Sequence, residues 1–128
     1  WKLQTMSSLH LNCQHSVTVP TSSRQADYVF DIKQSYSDNK LLVSASNHSI
    51  AVYDYDLNLY HTHVAHSDTI TNIAFSKSSS NVYYSSSADN SVMIWDSRNL
   101  NAPCKVKFDE EVAAMIVNDS DNLLVVNQ

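Results

Sequence analysis

The chain has 128 residues, a formal net charge of −5 and no cluster of Lys or Arg. Because nucleic-acid binders usually carry a basic patch, this charge disfavours nucleic acid as a partner. A hydrophobic fraction of 43% with 16% charged residues is typical of a folded domain and excludes a disordered tail. The sequence contains no apolar run long enough to span a membrane, so we expect no membrane partner.

Glycine is absent from the sequence, although tight turns often need a residue with positive φ. We expect Asn, Asp and Ser to fill the turns, since Asn and Asp tolerate such conformations better than other side chains do. Cys13 and Cys104 are far apart, and neither belongs to a CxxC pair. Isolated thiols and the lack of a recognisable signal peptide predict an intracellular protein, in the cytoplasm or the nucleus.

Residues 1–26 form an N-terminal segment with one alternating stretch between Leu9 and Val19. Alternation with a period of two predicts a strand, which ends before Pro20. A frayed terminal tail is the alternative interpretation. Trp1 is not an initiator Met, and we expect the sequence to be a piece of a longer protein.

The apolar pattern predicts four short strands in each of two stretches, residues 27–64 and residues 65–108. In the first stretch Val29 and Ile32 begin a strand, and three more follow at Lys40–Ser46, Ile50–Asp54 and Leu57–Val64. In the second stretch the strands are Ile70–Phe75, Asn81–Ser87, Ser91–Trp95 and Pro103–Phe108. Lys105 and Lys107 share one face of the last strand, where charge protects an edge from pairing with other chains.

The two stretches repeat with a nearly constant period, and residues 109–128 begin a third copy. Ile50–Asp54 (IAVYD) and Val92–Asp96 (VMIWD) are 42 positions apart. The same interval of 42 separates Ile70, Ile73 and Phe75 from Val112, Met115 and Val117. A fixed period over three copies indicates a repeat array.

The second copy also carries a recognisable set of polar residues. His66 precedes its first strand, Ser85 and Ser87 lie in the second, Asp89 lies in the next turn, and the third strand ends with Trp95-Asp96. This set resembles a blade of the WD-repeat (WD40) β-propeller family, whose repeat runs about 40–45 residues. The resemblance implies an all-β fold, an incomplete β-propeller built from four-stranded antiparallel WD-repeat blades.

On this resemblance, residues 27–64 are a degenerate blade, 65–108 an intact blade and 109–128 a partial third blade. Residues 1–26 occupy the place of a strand that closes the ring in many such propellers. About three repeats fall short of the 4–8 blades of a closed propeller. A degenerate blade with Ser46–Ile50 and Tyr53-Asp54 ahead of the intact blade is also similar to one particular member of the family.

The resemblance further implies that His66, a Ser of the second strand, Asp89 and Trp95 form a hydrogen-bonded structural tetrad. Ser85 and Ser87 lie on the same strand face, so their spacing does not choose between them. A Ser-His-Asp hydrolase is the catalytic alternative. Its nucleophile turn is normally built with Gly, which this chain lacks, and we therefore predict no enzyme activity and no cofactor.

His61 and His63 alternate on one strand and raise the question of a metal site. Because no Cys or carboxylate completes a tetrahedral set at the usual spacing, we predict solvated histidines and no bound metal.

Asp89, Trp95, Asp96 and Arg98 match a box ending in WDxR. The match resembles a box carried by those WD-repeat proteins that dock on the adaptor subunit of cullin-4-type ubiquitin ligases. In the alternative interpretation Arg98 only pairs with Asp96. The sequence thus predicts a non-catalytic protein–protein interaction scaffold that binds other proteins, with a ligase substrate receptor as the second hypothesis.

Overall fold

The computed structural model describes residues 27–64 and 66–127, and within these ranges all regular secondary structure is β. The ten strands are β1 Val29–Gln34, β2 Leu41–Ala45, β3 Ser49–Tyr53, β4 Leu59–Val64, β5 Ile70–Phe75, β6 Val82–Ser87, β7 Ser91–Asp96, β8 Asn99–Lys107, β9 Val112–Val117 and β10 Leu123–Asn127. The predicted all-β class is confirmed. The strand predicted within residues 1–26 lies outside the described residues.

The strands form three antiparallel sheets in which spatial order follows sequence order. Strands β1–β4 make the first sheet, β5–β8 the second, and β9 and β10 a two-stranded third. We call these sheets the first, second and third blades. This order is expected because hairpin turns join neighbouring antiparallel strands through short connections. Each blade packs face to face on the next, so the fold is that of an incomplete β-propeller, as predicted.

Two apolar clusters fill the spaces between consecutive blades. The cluster between the first and second blades consists of Leu42, Ile50, Val52, Ile70, Ile73, Phe75, Tyr83, Met93 and Trp95. The cluster between the second and third blades centres on Tyr84, Val92, Val112, Met115 and Val117. Because successive residues of a strand point to opposite faces, the second blade contributes to both clusters. Stacking of blades therefore supplies a core that no single sheet encloses.

Among the described residues, five adopt positive φ, between 57° and 63°: Asn39, His48, Leu57, Asn90 and Asp121. Three of them are Asn or Asp, in agreement with the expectation for a chain without glycine. His48 and Leu57 depart from it, and the turn that contains Leu57 is held by Asp54. The carboxylate of Asp54 accepts hydrogen bonds from the backbone N–H of Asn58 at 2.8 Å and from its side-chain amide at 2.9 Å. These bonds offset the steric cost of positive φ at a residue with a Cβ.

Strand β8 begins earlier than the sequence predicts. It starts at Asn99, which pairs with Asp96, and a register irregularity lies between Ile94 and Asp96 on the partner strand. Pro103 therefore lies within the strand. A proline is tolerated there because β8 is an edge strand, where one side of the backbone has no strand to bond.

Candidate functional site

Four side chains of the second blade form one buried hydrogen-bonded tetrad. His66, in the connection between β4 and β5, places Nε2 2.7 Å from Ser85 Oγ and Nδ1 3.1 Å from the carboxylate of Asp89. Trp95 donates its indole N–H to the same Ser85 oxygen at 2.9 Å. Ser85 is fully buried, and His66 and Trp95 are 5% and 3% exposed. The tetrad thus connects two strands, a loop and a turn.

The protonation of the tetrad follows from these contacts. Burial lowers the pKa of His66, and this effect outweighs the opposing hydrogen bond and charge of Asp89. A neutral imidazole has one donor and one acceptor nitrogen. The network assigns the proton to Nδ1, which donates to Asp89, while Nε2 accepts the hydroxyl proton of Ser85. The Ser85 oxygen is then free to accept the N–H of Trp95.

Asp89 is held by more donors than the imidazole alone. The backbone N–H of Ser67 donates at 3.1 Å, the ammonium of Lys105 lies at 3.3 Å, and the hydroxyl of Ser91 also bonds the carboxylate. Burial by itself would raise the pKa of Asp89. The hydrogen bonds from Ser91, Ser67 and His66 outweigh that effect and hold this pKa well below its usual range. Asp89 is therefore ionised near neutral pH and ties the loop before β5 to the turn after β6.

The structure places Ser87 beside the tetrad and Ser85 within it. The Ser87 hydroxyl donates to the backbone carbonyl of Asp68 at 3.1 Å and accepts the N–H of Asp89 at 3.1 Å. These bonds support the same loop and turn but do not involve the imidazole. Of the two serines that the sequence left open, Ser85 contacts both His66 and Trp95.

The order Asp89, His66, Ser85 has the connectivity of a Ser-His-Asp triad. A catalytic triad needs a hydroxyl that a substrate can reach. The Ser85 side chain has no exposed surface, and its oxygen already accepts the Trp95 N–H. This geometry stabilises the blade and offers no nucleophile to solvent.

The first blade has different residues at the corresponding positions. Tyr53 lies 42 positions before Trp95 and is 1% exposed, and its hydroxyl has no hydrogen-bond partner among the described residues. In the turn after β2, Asn47 bonds Asp27 at 3.0 Å and accepts the backbone N–H of Ser49 at 3.1 Å. The first blade therefore fastens its turn with an amide–carboxylate pair in place of an imidazole.

Two residues of the WDxR box reach the surface: Asp96, half-buried at the end of β7, and Arg98, exposed two positions later. The guanidinium of Arg98 grips the Asp96 carboxylate through two bonds of 2.9 and 2.6 Å, and the Arg98 backbone N–H adds a third at 2.9 Å. These bonds lower the pKa of Asp96 to about 2. The Arg98 side chain is 68% exposed. Of the four predicted docking residues, Asp96 and Arg98 reach the surface, whereas Asp89 and Trp95 are occupied in the tetrad.

Sequence reasoning missed a contact between the first two blades. His61 and His63 were expected to be solvated, but both are half-buried. Their Nε2 atoms lie 2.8 and 2.6 Å from the hydroxyl of Tyr83. The His63 ring packs against Trp95 at a centroid distance of 4.4 Å, with the two ring planes tilted by 30°. The expectation failed because the outermost strand of a blade still faces the next blade. The alternation of the two histidines was the signal that could have revealed their shared face.

No group of three or more His, Cys, Asp or Glu side chains is arranged to hold a metal ion within the described ranges. The same ranges contain no helix that is long and apolar enough to cross a membrane.

The comparisons with known proteins agree with the geometry of the second blade. Residues 57–96 match the family model described as "WD domain, G-beta repeat". This range contains all four tetrad residues and every strand from β4 to β7. The match covers one repeat of the chain.

Among solved structures, the fold is similar to a chain in a humanized mutant of the Chaetomium thermophilum Polycomb Repressive Complex 2 bound to an inhibitor. The TM-score is 0.61 over 84% of this chain, at 18% sequence identity. The chain spans only 25% of the length of that protein chain.

No curated protein matches the chain. The narrower similarity suggested by the order of the blades, to WD repeat-containing protein 89, is not supported by these comparisons. What they support is a WD repeat in the second blade, within a partial β-propeller.

Proposed function

We propose that the chain belongs to a non-catalytic scaffold that binds other proteins. The observation that carries this proposal is the orientation of the tetrad. Its serine, histidine and aspartate are turned inward and bonded to one another, so they hold the blade together. The WD repeat at residues 57–96 supports the same function, because WD-repeat folds commonly serve as binding platforms.

In this proposal rigid blades present loops of fixed shape to a partner. The tetrad orders the loop before β5 and the turn after β6 by joining both to Asp89. Preordered loops lose little conformational entropy on binding, which favours affinity.

The test compares affinity purifications of the tagged protein and two variants. Asp89→Ala should lose the specific partners because it releases the loop from the turn. Asp119→Ala, which removes an exposed carboxylate between β9 and β10, should retain them. Quantitative mass spectrometry measures both. Absence of any partner above background with the folded wild-type protein would contradict the proposal.

A second candidate function is a substrate receptor of a cullin-4-type ubiquitin ligase. Arg98 supports it, because an exposed guanidinium at the end of β7 can pair with a carboxylate of a ligase adaptor. In the free chain Arg98 already binds Asp96, so docking would have to share or exchange that partner.

Binding of the purified adaptor subunit separates the two candidates. If the WDxR box docks, Arg98→Ala should weaken the affinity roughly tenfold or more, the usual effect of truncating one partner of an interfacial charge pair. Lys107→Ala removes an exposed cation of β8 and is the matched control. Unchanged adaptor affinity in Arg98→Ala would eliminate this candidate and leave the scaffold proposal intact.

A further inference from the structure

The hydroxyl of Tyr83 lies between two imidazoles that come from another blade. Tyr83 is on β6 of the second blade and is fully buried. His61 and His63 are on β4 of the first blade, and the centroids of their rings are 4.7 Å apart. Both Nε2 atoms point at the one phenolic oxygen, at 2.8 and 2.6 Å. One hydroxyl therefore joins the outer strand of the first blade to the second blade.

Counting donors and acceptors restricts the protonation states that this contact allows. The Tyr83 hydroxyl has a single hydrogen, which it donates to one imidazole while its oxygen accepts an N–H from the other. The imidazole that accepts the Tyr83 hydrogen is consequently unprotonated at Nε2, whereas the other imidazole carries a proton at Nε2. If the accepting ring gains a proton, both rings become donors and the Tyr83 hydrogen loses its acceptor inside a buried interface. Such an unsatisfied buried group is costly.

The charged groups around the contact do not favour protonated imidazoles. Lys40 faces His61 and lies 5.9 Å above the ring of Tyr60, and its charge opposes a second cation on His61. Its own counterion, Asp38, is 2.9 Å from the ammonium. Asp96 is the carboxylate that acts on Tyr83, and it is bound to Arg98. In the part of the chain that the structure describes, neither imidazole hydrogen-bonds a carboxylate.

His66 provides an internal contrast. Its Nδ1 is 3.1 Å from the Asp89 carboxylate, which can balance a positive charge on the ring. Among the described residues, the side-chain hydrogen-bond partner of both His61 and His63 is the neutral hydroxyl of Tyr83. The aromatic ring of Trp95 offsets part of the cost of a charge on His63, because an aromatic face attracts cations.

We propose that His61, His63 and Tyr83 form an acid-sensitive joint between the first two blades. The joint is closed while the hydroxyl bridges two neutral imidazoles. It opens when both imidazoles carry a proton, because two adjacent cations then share a half-buried interface and the Tyr83 hydrogen has no acceptor. The first proton can be held at the outer nitrogen of the donating ring without breaking the bridge, so the second proton is the one that opens the joint.

The direction of the pH dependence follows from burial. Burial, together with the charge of His61, lowers the pKa of His63 to about 4, and burial with the charge of Lys40 lowers that of His61. The unfolded chain, with histidines near 6.5, therefore binds more protons than the folded chain below that pH. The stabilisation from this joint is fully present above about pH 6.5 and is lost as the pH falls towards 4.

Opening the joint would also affect the tetrad, because His66 follows β4 by two positions. A freed β4 would loosen the loop that Asp89 fastens. This consequence for partner binding rests on the proposed scaffold function, whereas the joint itself does not.

The first experiment follows the histidine titrations by NMR in the full chain labelled with ¹³C-histidine. His63 should titrate at about pH 4, and His61 below its ordinary value of 6.5. Tyr83→Phe removes the bridging hydroxyl and should raise the titration point of the accepting imidazole by about one pH unit, the equivalent of one hydrogen bond. Tyr84→Phe alters the next residue, on the opposite face of β6, and should leave both titrations unchanged. Titration of both His61 and His63 at or above 6.5 would overturn the proposal.

The second experiment measures amide hydrogen exchange of β4, corrected for the intrinsic effect of pH. In the wild-type protein the protection of Leu59–Val64 should fall between pH 7 and pH 4.5, whereas in His63→Gln it should not change, since Gln has no proton to gain. If Tyr83→Phe fails to fold, the wild-type and His63→Gln measurements still decide. Protection of β4 that falls equally in both proteins would assign the acid effect to other groups and overturn the joint.

Discussion

At the scale of single residues, the chain reuses equivalent positions for different bonds. The Ser85 hydroxyl joins Trp95 to His66 in the second blade, and the equivalent place in the first blade has Val43 and Tyr53. An indole N–H buried in an interface needs an acceptor, which Ser85 supplies. Burial raises the pKa of Tyr53, whose hydroxyl stays protonated. The family match covers residues 57–96, the range that contains the intact tetrad.

Loss of the Asp89 carboxylate should destabilise the folded chain. Asp89→Ala should lower the free energy of unfolding by about 1–3 kcal/mol, because it leaves buried donors without an acceptor. His66, Ser67 and Ser91 each lose their acceptor. Urea denaturation at pH 7 measures the change, and the exposed Asp119→Ala control should stay within about 0.5 kcal/mol. Equal effects of the two substitutions would contradict a structural role for Asp89.

The pH dependence of this contribution has a defined sign. The pKa of Asp89 is lower in the folded state than its ordinary value of 3.8. The unfolded chain therefore binds a proton first as the pH falls, and the stabilisation from Asp89, complete above about pH 4, declines through the acid range. The difference in stability between the wild-type protein and Asp89→Ala should accordingly shrink below pH 4.

At the scale of elements, the turns at one end of the blades are fastened to one another. Lys40, after the first turn, bonds Asn81 of the second blade at 3.1 Å. Asp121, in the turn between β9 and β10, accepts bonds from the Ser76 hydroxyl at 2.8 Å and from the Lys77 backbone N–H at 2.6 Å. Hydrogen bonds from Ser78, Lys77 and Ser76 lower the pKa of Asp121. Hydrogen bonds between turns thus accompany the apolar packing at both contacts between blades.

Asp121→Asn should weaken the hydrogen bonds that join the turn of the third blade to Ser76 and Lys77 of the second blade. Asn tolerates the φ of 59° found at this position, so the substitution removes charge without straining the turn. We expect a loss of about 1–2 kcal/mol, because hydrogen bonds to a charged acceptor become bonds to a neutral one. Hydrogen exchange of β9 and β10 should increase relative to Asp119→Asn. Unchanged exchange would show that apolar packing alone attaches the third blade.

At the scale of the whole molecule, one face of the third blade exposes apolar side chains. Ala74, Val82 and Tyr84 of the second blade pack against the third blade. The residues 42 positions further on are Ile116, Leu124 and Val126, which are 62%, 63% and 49% exposed. The same repeat positions are therefore buried or partly buried in the second blade and exposed in the third. Apolar faces of this kind promote association.

We expect the isolated chain to be marginally stable or to self-associate in a concentration-dependent manner through this face. Leu124→Lys should reduce association because it places a charge in the middle of the apolar patch, whereas Lys107→Ala on β8 should not. Sedimentation velocity over a range of protein concentrations measures the effect. A monomer with a sharp melt that is independent of concentration would refute the expectation.

The strands and the repeat were predictable because they depend on local pattern. Val112, Met115 and Val117 repeat the spacing of Ile70, Ile73 and Phe75, and both sets form the first strand of their blade. The start of β8 at Asn99 was not predictable, because it depends on a register irregularity opposite Ile94 and Asp96. The prediction that His61 and His63 are solvated was wrong, because their burial depends on contacts with the face of another sheet.

By itself, the sequence determined the all-β class and the 42-residue period, since alternation and periodicity are properties of neighbouring positions. The resemblance to the WD-repeat family indicated the residues from which the tetrad is drawn. Tertiary structure alone decided that Ser85, and not Ser87, bonds the imidazole and that Tyr83 bridges two histidines. These contacts depend on the angle and distance at which side chains meet. Tyr83 lies 20 positions from His63 and in a different sheet, so only the packing of one blade on the next could bring them together.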